Sequence, residues 1–146
     1  MCKRKINVSV PKVYNETTVN AQWVYYELRK LNVDCTHLWD SYYVAYTVDA
    51  WAEILIDVIK NMPSYVGQEF DCDNFALLTA ARVMERYSSN AIGIAIGDSP
   101  MGAHAWNIFI TWEDSEARIR FYEPQTGEVM ELENDQGYKI KQVIWG

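Results

Sequence analysis

The hydrophobic pattern of the chain changes after Ser88-Ser89-Asn90, from helical spacing to strand-like alternation. Stretches before this point place apolar residues on one helical stripe, whereas later stretches alternate or are rich in β-branched residues. The helical stretches are 19–31, 48–62 and 74–87, and the strand-like stretches are 91–97, 104–112, 117–123, 128–132 and 138–145. Helices followed by strands predict an α+β fold in which an antiparallel sheet packs on the third helix.

The first residues of the chain fit neither pattern well. Residues 6–18 are short, rich in β-branched side chains and interrupted by Pro11, which indicates an edge strand or an arm. With 146 residues and 49% hydrophobic content, the chain has enough apolar surface for one core. We therefore predict a single domain over residues 1–146, with a helical region at about 1–64 and a motif-bearing core at about 65–146.

Charge and cysteine usage exclude several classes of protein. Thirteen basic against twenty acidic residues give a net charge of −7, which argues against nucleic acid as a partner. No apolar run is long enough for a membrane span, and no signal segment follows the basic N-terminus. Three cysteines without a Cys-x-x-Cys pair indicate a reducing compartment, although a pair between Cys2 and Cys35 stays open. We predict a cytoplasmic protein of unknown oligomeric state, with a phage or mobile-element origin as a guess about source.

The stretch "FDCDNFALLTA" places a cysteine between two aspartates at the predicted start of the third helix. Asp71 is a good N-cap, which makes Cys72 the first helical residue. The helix dipole and the unpaired N–H groups at this end favour a thiolate, whereas the charges of Asp71 and Asp73 oppose it. Cys72 is thus a candidate nucleophile, with a metal ligand or a core residue as the alternatives.

Two residues on the predicted strands complement Cys72. His104 opens one strand, and Glu123 ends the next strand along the chain. A nucleophilic thiol needs a base within hydrogen-bond reach, and that base needs an acceptor that fixes its tautomer. We predict that Cys72, His104 and Glu123 form a catalytic triad.

An oxyanion also needs a second hydrogen-bond donor beside the backbone N–H of Cys72. Gln68 is the preferred candidate, with Tyr65 and Gln125 as alternatives. A zinc site built from Cys72 and His104 has no recognised ligand spacing.

The segment from about Tyr65 to Gly127 resembles the core of the papain-like cysteine hydrolases in their transglutaminase-like branch. The shared pattern is a cysteine that opens a helix, a "GI" strand, a His-x-Trp strand and an acid followed by proline. Together with "DCDNFA", the glutamate at position 123 is closest in motif to the C-terminal cysteine-protease domain of the mushroom agglutinins. The similarity implies a papain-like fold, a Cys-His-Glu triad and peptidase activity. We predict a cysteine-dependent hydrolase or acyl transferase that acts on amide bonds of a peptide or protein substrate, with peptidase, amidase, transglutaminase and deamidase activity all open.

The resemblance also bears on cofactors. The triad chemistry requires none, but the similarity implies dependence on calcium, with Asp71 and Asp73 as ligands. The sequence has no EF-hand-like loop, and the same two aspartates also fit a helix cap and an exposed surface. The alternative to an enzyme is a catalytically silent binding or assembly module, phage-related or calcium-responsive, that retains the fold.

Overall fold

The computed structural model of the protein describes residues 16–33, 35–130 and 137–146. Within these residues the helices are α1 (Ala21–Lys30), α2 (Val48–Val58) and α3 (Cys72–Tyr87). The strands are β1 (Glu16–Asn20), β2 (Cys35–Leu38), β3 (Tyr42–Thr47), β4 (Ile92–Ser99), β5 (Gly102–Glu113), β6 (Glu116–Glu123), β7 (Glu128–Met130) and β8 (Lys139–Trp145). The predicted α+β class is confirmed.

The described strands form one mixed sheet. Its strand order is β1-β3-β5-β4-β8-β2, and β6 pairs with β5 and carries β7 on its other side. The pairs β3–β5 and β2–β8 are parallel, and the other pairs are antiparallel. The predicted antiparallel sheet is therefore correct for its central strands and wrong for these two pairs, which join early strands to distant partners.

The N-terminal region is less helical than its sequence predicts. β1, β2 and β3 all lie before residue 64, and the sequence pattern predicts neither β2 nor β3. Val19 lies in β1 and not in a helix, so α1 begins later than predicted. Its N-cap is Asn20, whose Oδ1 accepts a hydrogen bond from the Trp23 N–H at 2.8 Å. The predicted arm at residues 6–18 lies mostly outside the described residues.

The prediction for α3 is confirmed. Asp71 precedes the helix, and its backbone N–H donates to Oδ1 of Asn74 at 3.2 Å. Ser88 ends the helix in the left-handed conformation, with φ of 53°. The buried face of α3 packs on β4 and β5 and consists of Phe75, Ala76, Thr79, Ala80 and Val83.

Aromatic side chains fix α2 on the same sheet. The Trp51 ring lies 4.9 Å from that of Phe109, and its indole N–H donates to the carbonyl of Ile110 at 2.6 Å. In the described part of the chain, no helix is both long and apolar enough to cross a membrane. The cytoplasmic localisation stays a prediction.

The turn between β5 and β6 offers a stability test. Asp114 and Ser115 form its two central positions with φ of 50° and 67°, a backbone that suits glycine. We expect Ser115→Gly to raise the free energy of unfolding by about 0.5–1 kcal/mol, because a left-handed residue with a side chain is strained. Urea denaturation measures the change. Ser64→Gly, in an exposed loop without positive φ, is the control, and equal effects of the two variants would contradict the expectation.

Candidate functional site

His104 and Glu123 form a buried pair at one end of the β5–β6 ribbon. The register Asn107↔Tyr122 brings the start of β5 beside the end of β6. His104 and Glu123 are 8% and 7% exposed, and Nε2 of His104 lies 2.6 Å from Oε2 of Glu123. A carboxylate only accepts hydrogen bonds, so Nε2 of the imidazole is the donor in this pair.

The carboxylate of Glu123 is held on both oxygens. Its Oε1 accepts the backbone N–H of Gln125 at 3.0 Å, in the turn that leads to β7. The same turn is closed by the Gly127 N–H, which donates to the carbonyl of Glu123 at 2.8 Å. Gln125 therefore contributes to the site through its backbone, and its side chain is exposed.

Two aromatic side chains, Trp106 and Tyr138, pack in succession beside the imidazole of His104. The imidazole stacks on Trp106 with 5.9 Å between ring centroids, and Trp106 meets the Tyr138 ring edge-on at 5.4 Å. Burial raises the pKa of the Tyr138 hydroxyl, and the charge of Glu123 raises this pKa further. The indole Nε1 of Trp106 is buried and has no hydrogen-bond partner among the described residues.

Cys72 lies where the sequence places it, as the first residue of α3, and it is a half-buried free thiol. Across the described residues, however, the thiol makes no hydrogen bond with His104. The side chains of a strand alternate between faces, so His104 and Trp106 share one face of β5, and Asn107 points to the face that α3 covers. The structure thus brings two members of the predicted triad together and shows no contact between them and the third.

Acidic groups surround Cys72. Ligand atoms of Asp71, Cys72 and Asp73 all lie within 4.8 Å of one another. The hydrogen bond that the protonated Asp71 carboxyl donates to Asp73 raises the pKa of Asp71, and burial and the charge of Asp73 raise this pKa further. Carboxylate oxygens are donors that calcium prefers, so these two aspartates as calcium ligands stay a prediction. The cluster does not include His104, which gives the zinc alternative no support.

Gln68 lies beside the same cluster, but not through its side chain. Its backbone N–H interacts with the carboxyl of Asp71 and lowers the pKa of that group. The residue has φ of 64°, and its side chain is exposed. Its role as an oxyanion donor stays a prediction.

The proximity of the two aspartates gives a measurable pH effect. A raised carboxyl pKa means that the folded state holds the proton more tightly than the unfolded state, so this contribution to stability is lost as pH rises through the pKa. We expect Asp73→Asn to lower the pKa of Asp71, because Asp73 provides the main cause of the shift. Carbon-13 NMR titration of the Asp71 carboxyl measures this. Asp49→Asn, in the first turn of α2, is the control, and an unchanged Asp71 titration in Asp73→Asn would refute the expectation.

Sequence patterns miss the parts of the site that have no chemical motif. Tyr138 reaches Trp106 only because β8 pairs with β4, and β4 with β5. A search by residue type cannot find the backbone N–H of Gln125, because every residue except proline has this group. Alternation along β5 was a usable signal for Trp106, which lies two residues from His104 on the same face.

No family model and no curated protein sequence matches the chain. Solved structures do match the chain, and two of them are identified by their ligands. One is described as a PSL1a-E64 complex, at 25% identity and a TM-score of 0.71, covering 87% of this chain and 51% of that chain. Another is Polyporus squamosus lectin bound to the human-type influenza-binding epitope Neu5Acα2-6Galβ1-4GlcNAc, at 23% identity and a TM-score of 0.68, covering 87% and 49%. The chain spans about half the length of these structures.

These matches correct the identification made from sequence. The motifs around Cys72, His104 and Glu123 predicted a papain-like cysteine peptidase or amidase related to a protease domain, whereas one of the matched structures is a lectin bound to a sialylated trisaccharide. The identification as a cysteine-protease domain and the hydrolase interpretation are therefore wrong. A cysteine, a histidine and an acid in this order are compatible with a binding site, and here Cys72 has no hydrogen bond to His104.

Proposed function

We propose that the chain is a ligand-binding module that retains a papain-like arrangement, with a cysteine-bearing helix packed on a sheet. Its ligand site is centred on His104 and includes Glu123. The observation that carries the proposal is the buried pair between His104 and Glu123, at 2.6 Å. A buried polar pair of this kind costs desolvation, which an orienting role for the imidazole explains.

The second nitrogen of His104 supports a role in ligand recognition. Because Nε2 is occupied by Glu123, the remaining ring atom for a ligand is Nδ1, which has no hydrogen-bond partner among the described residues. The hydrogen bonds to Glu123 and the stack on Trp106 hold the ring in one orientation. An oriented ring with one unpaired polar atom, beside the aromatic ring of Trp106, fits a ligand that has both polar and apolar groups.

The matched structures suggest which probes to use. One is in complex with E64 and the other with a sialylated trisaccharide, so each protein has a small ligand. The part that matches this chain is about half of each structure. We take both ligands as candidates for this chain. A peptide or protein ligand, as the sequence predicts, is the third class to test.

Titration calorimetry with E64 and with the trisaccharide Neu5Acα2-6Galβ1-4GlcNAc tests the proposal. We expect one of the two probes to bind the wild-type chain, and His104→Ala to weaken binding at least about tenfold, the effect of losing one buried ligand contact. His37→Ala is the matched control, because the other described histidine is exposed and lies in β2 at the edge of the sheet.

Two outcomes would contradict the proposal. One is equal binding by the two histidine variants, which would move the site away from His104. The other is an absence of binding by the wild type to either probe and to a peptide library. Intact-mass measurement after incubation with E64, with Cys72→Ser as the comparison, shows whether Cys72 takes part in the complex through a covalent bond.

A further inference from the structure

A groove of about 800 Å³ runs beside β6, at the end of this strand that lies away from Glu123. One wall consists of residues 115–121. Successive side chains of a strand point to opposite faces, so a groove lined by consecutive residues follows the edge of the strand. The opposite wall is one side of α1, where Trp23, Glu27 and Lys30 follow each other at helical spacing. The groove thus separates the edge of a strand from a helix.

The edge of β6 in this groove has backbone groups that no described strand pairs. A two-residue turn joins β5 to β6, and the pairs of their ladder alternate between hydrogen-bonded and non-hydrogen-bonded. Glu116, next to the turn, is hydrogen-bonded to β5, so Ala117 and Ile119 direct their N–H and C=O groups away from β5. β7 pairs with β6 only at residues 121–123. In the described part of the chain, the backbone groups of Ala117 and Ile119 therefore face the groove without a partner strand.

The connection that follows β7 is too short to complete this edge. Six residues separate Met130 from Gly137, and a methyl group at Gly137 would lie 3.2 Å from Cγ of Pro100, in the turn before β5. Such a connection reaches at most about 25 Å. Between Trp112, which is the partner of Ala117, and the start of β5, the strand alone extends roughly 33 Å. A connection of this length cannot pair with Ala117 and return to Gly137.

We propose that this groove binds an extended peptide, which adds a strand to β6 on the side of α1. The peptide forms main-chain hydrogen bonds with Ala117 and Ile119, the mode by which peptides pair with an exposed sheet edge. It continues along the edge that β7 already pairs. Trp112, Phe121 and Met130 give the groove apolar surface, so a peptide with apolar side chains at alternate positions fits it.

The probe is a short peptide with valine and threonine at alternate positions, flanked by lysines for solubility. NMR titration of the full chain measures its binding, and we expect the largest shift changes at the amides of Ala117 and Ile119. Hydrogen exchange of these two amides should slow at least about fivefold at saturation, because they become hydrogen-bonded. Two control peptides are N-methylated, one at the valines and one at the threonines, so that each has lost the N–H groups of one edge. We expect one of them to bind at least about tenfold more weakly and the other to bind like the probe.

Ala117→Pro tests the groove from the side of the protein. It removes one N–H from the groove and none from the β5–β6 ladder, and edge strands accept proline at such positions. We expect it to weaken binding of the probe at least about fivefold. His104→Ala is the control, and it should leave the affinity within about twofold because His104 lies at the other end of the β5–β6 ribbon.

Several results would overturn the proposal. One is the absence of shift changes at millimolar probe, and another is equal binding of the probe and both N-methylated peptides. Slow exchange of the Ala117 and Ile119 amides in the free chain would show that another part of the chain, such as residues 1–15, already pairs with this edge. Binding that is lost in His104→Ala and kept in Ala117→Pro would assign the peptide to the ligand site at His104, so the two proposals can fail separately.

Discussion

Gly97→Ala is expected to lower the free energy of unfolding by about 3 kcal/mol or more. Gly97 lies in β4 where the register against β8 shifts, and a methyl group there would overlap the carbonyl oxygen of Lys139. It would also lie 3.1 Å from Cα of Ile140. Because the obstacle is backbone and not the end of a flexible side chain, relief requires β8 to move away from β4. Urea denaturation monitored by tryptophan fluorescence measures the loss.

Gly97→Ala should also disturb the candidate site at His104. Gly97 is the β4 partner of His104 in the β4–β5 register, so a displaced β4 disturbs the strand that presents the imidazole. Gly67→Ala is the matched control, because the nearest atoms to a methyl group at that position belong to Tyr65 and lie 3.9 Å away. A loss of stability no larger than that of Gly67→Ala would show that β4 and β8 do not approach as closely as the structure has them.

The second large effect concerns Glu123. Glu123→Ala removes the acceptor for the imidazole Nε2–H of His104 and for the backbone N–H of Gln125. Leaving a buried donor without a partner costs about 1–3 kcal/mol, so we expect a loss of about 3 kcal/mol for the two together. Glu123→Gln keeps the shape and one acceptor oxygen, and should lose about 1 kcal/mol.

Glu116→Ala is the control for this experiment. Glu116 lies at the other end of the same strand, β6, and is exposed. Exposed substitutions of this kind change stability by less than about 0.5 kcal/mol. If Glu123→Ala costs no more than Glu116→Ala in urea denaturation, the buried pair does not contribute to the fold, and the argument that it orients His104 fails with it.

Local signals in the sequence were enough for several elements. The N-cap Asp71 and the helical stretch that ends before Ser88-Ser89-Asn90 predict α3 with correct bounds, since both the cap and the helical pattern are local. The strands after residue 90 were also predicted from a local pattern, the alternation of their apolar and polar side chains. β2 was missed since its partner β8 lies more than 100 residues away in the chain, and β3 was missed since it pairs with β1 on one side and, on the other, with β5, more than 60 residues away.

For the candidate site, sequence supplied the residue types and the structure supplied their relations. Cys72, His104 and Glu123 were found from the chemistry of their side chains and the order of their elements. The hydrogen bond between His104 and Glu123 follows from the register of β5 and β6, which the two-residue turn of Asp114 and Ser115 sets. The function predicted from these residues was wrong because residue types in order do not distinguish a catalytic site from a binding site.

The sequence by itself determined the α+β class, the cysteine at the start of α3 and the strands that carry His104 and Glu123. These features depend on periodicity and capping over neighbouring residues, which the chain encodes locally. Only the tertiary structure decided that Trp106 and Tyr138 pack beside His104, that Cys72 makes no hydrogen bond with His104, and that Asn107 joins α3 to the sheet. These contacts link residues brought together by strand pairing and helix packing, and their geometry depends on where distant parts of the chain meet.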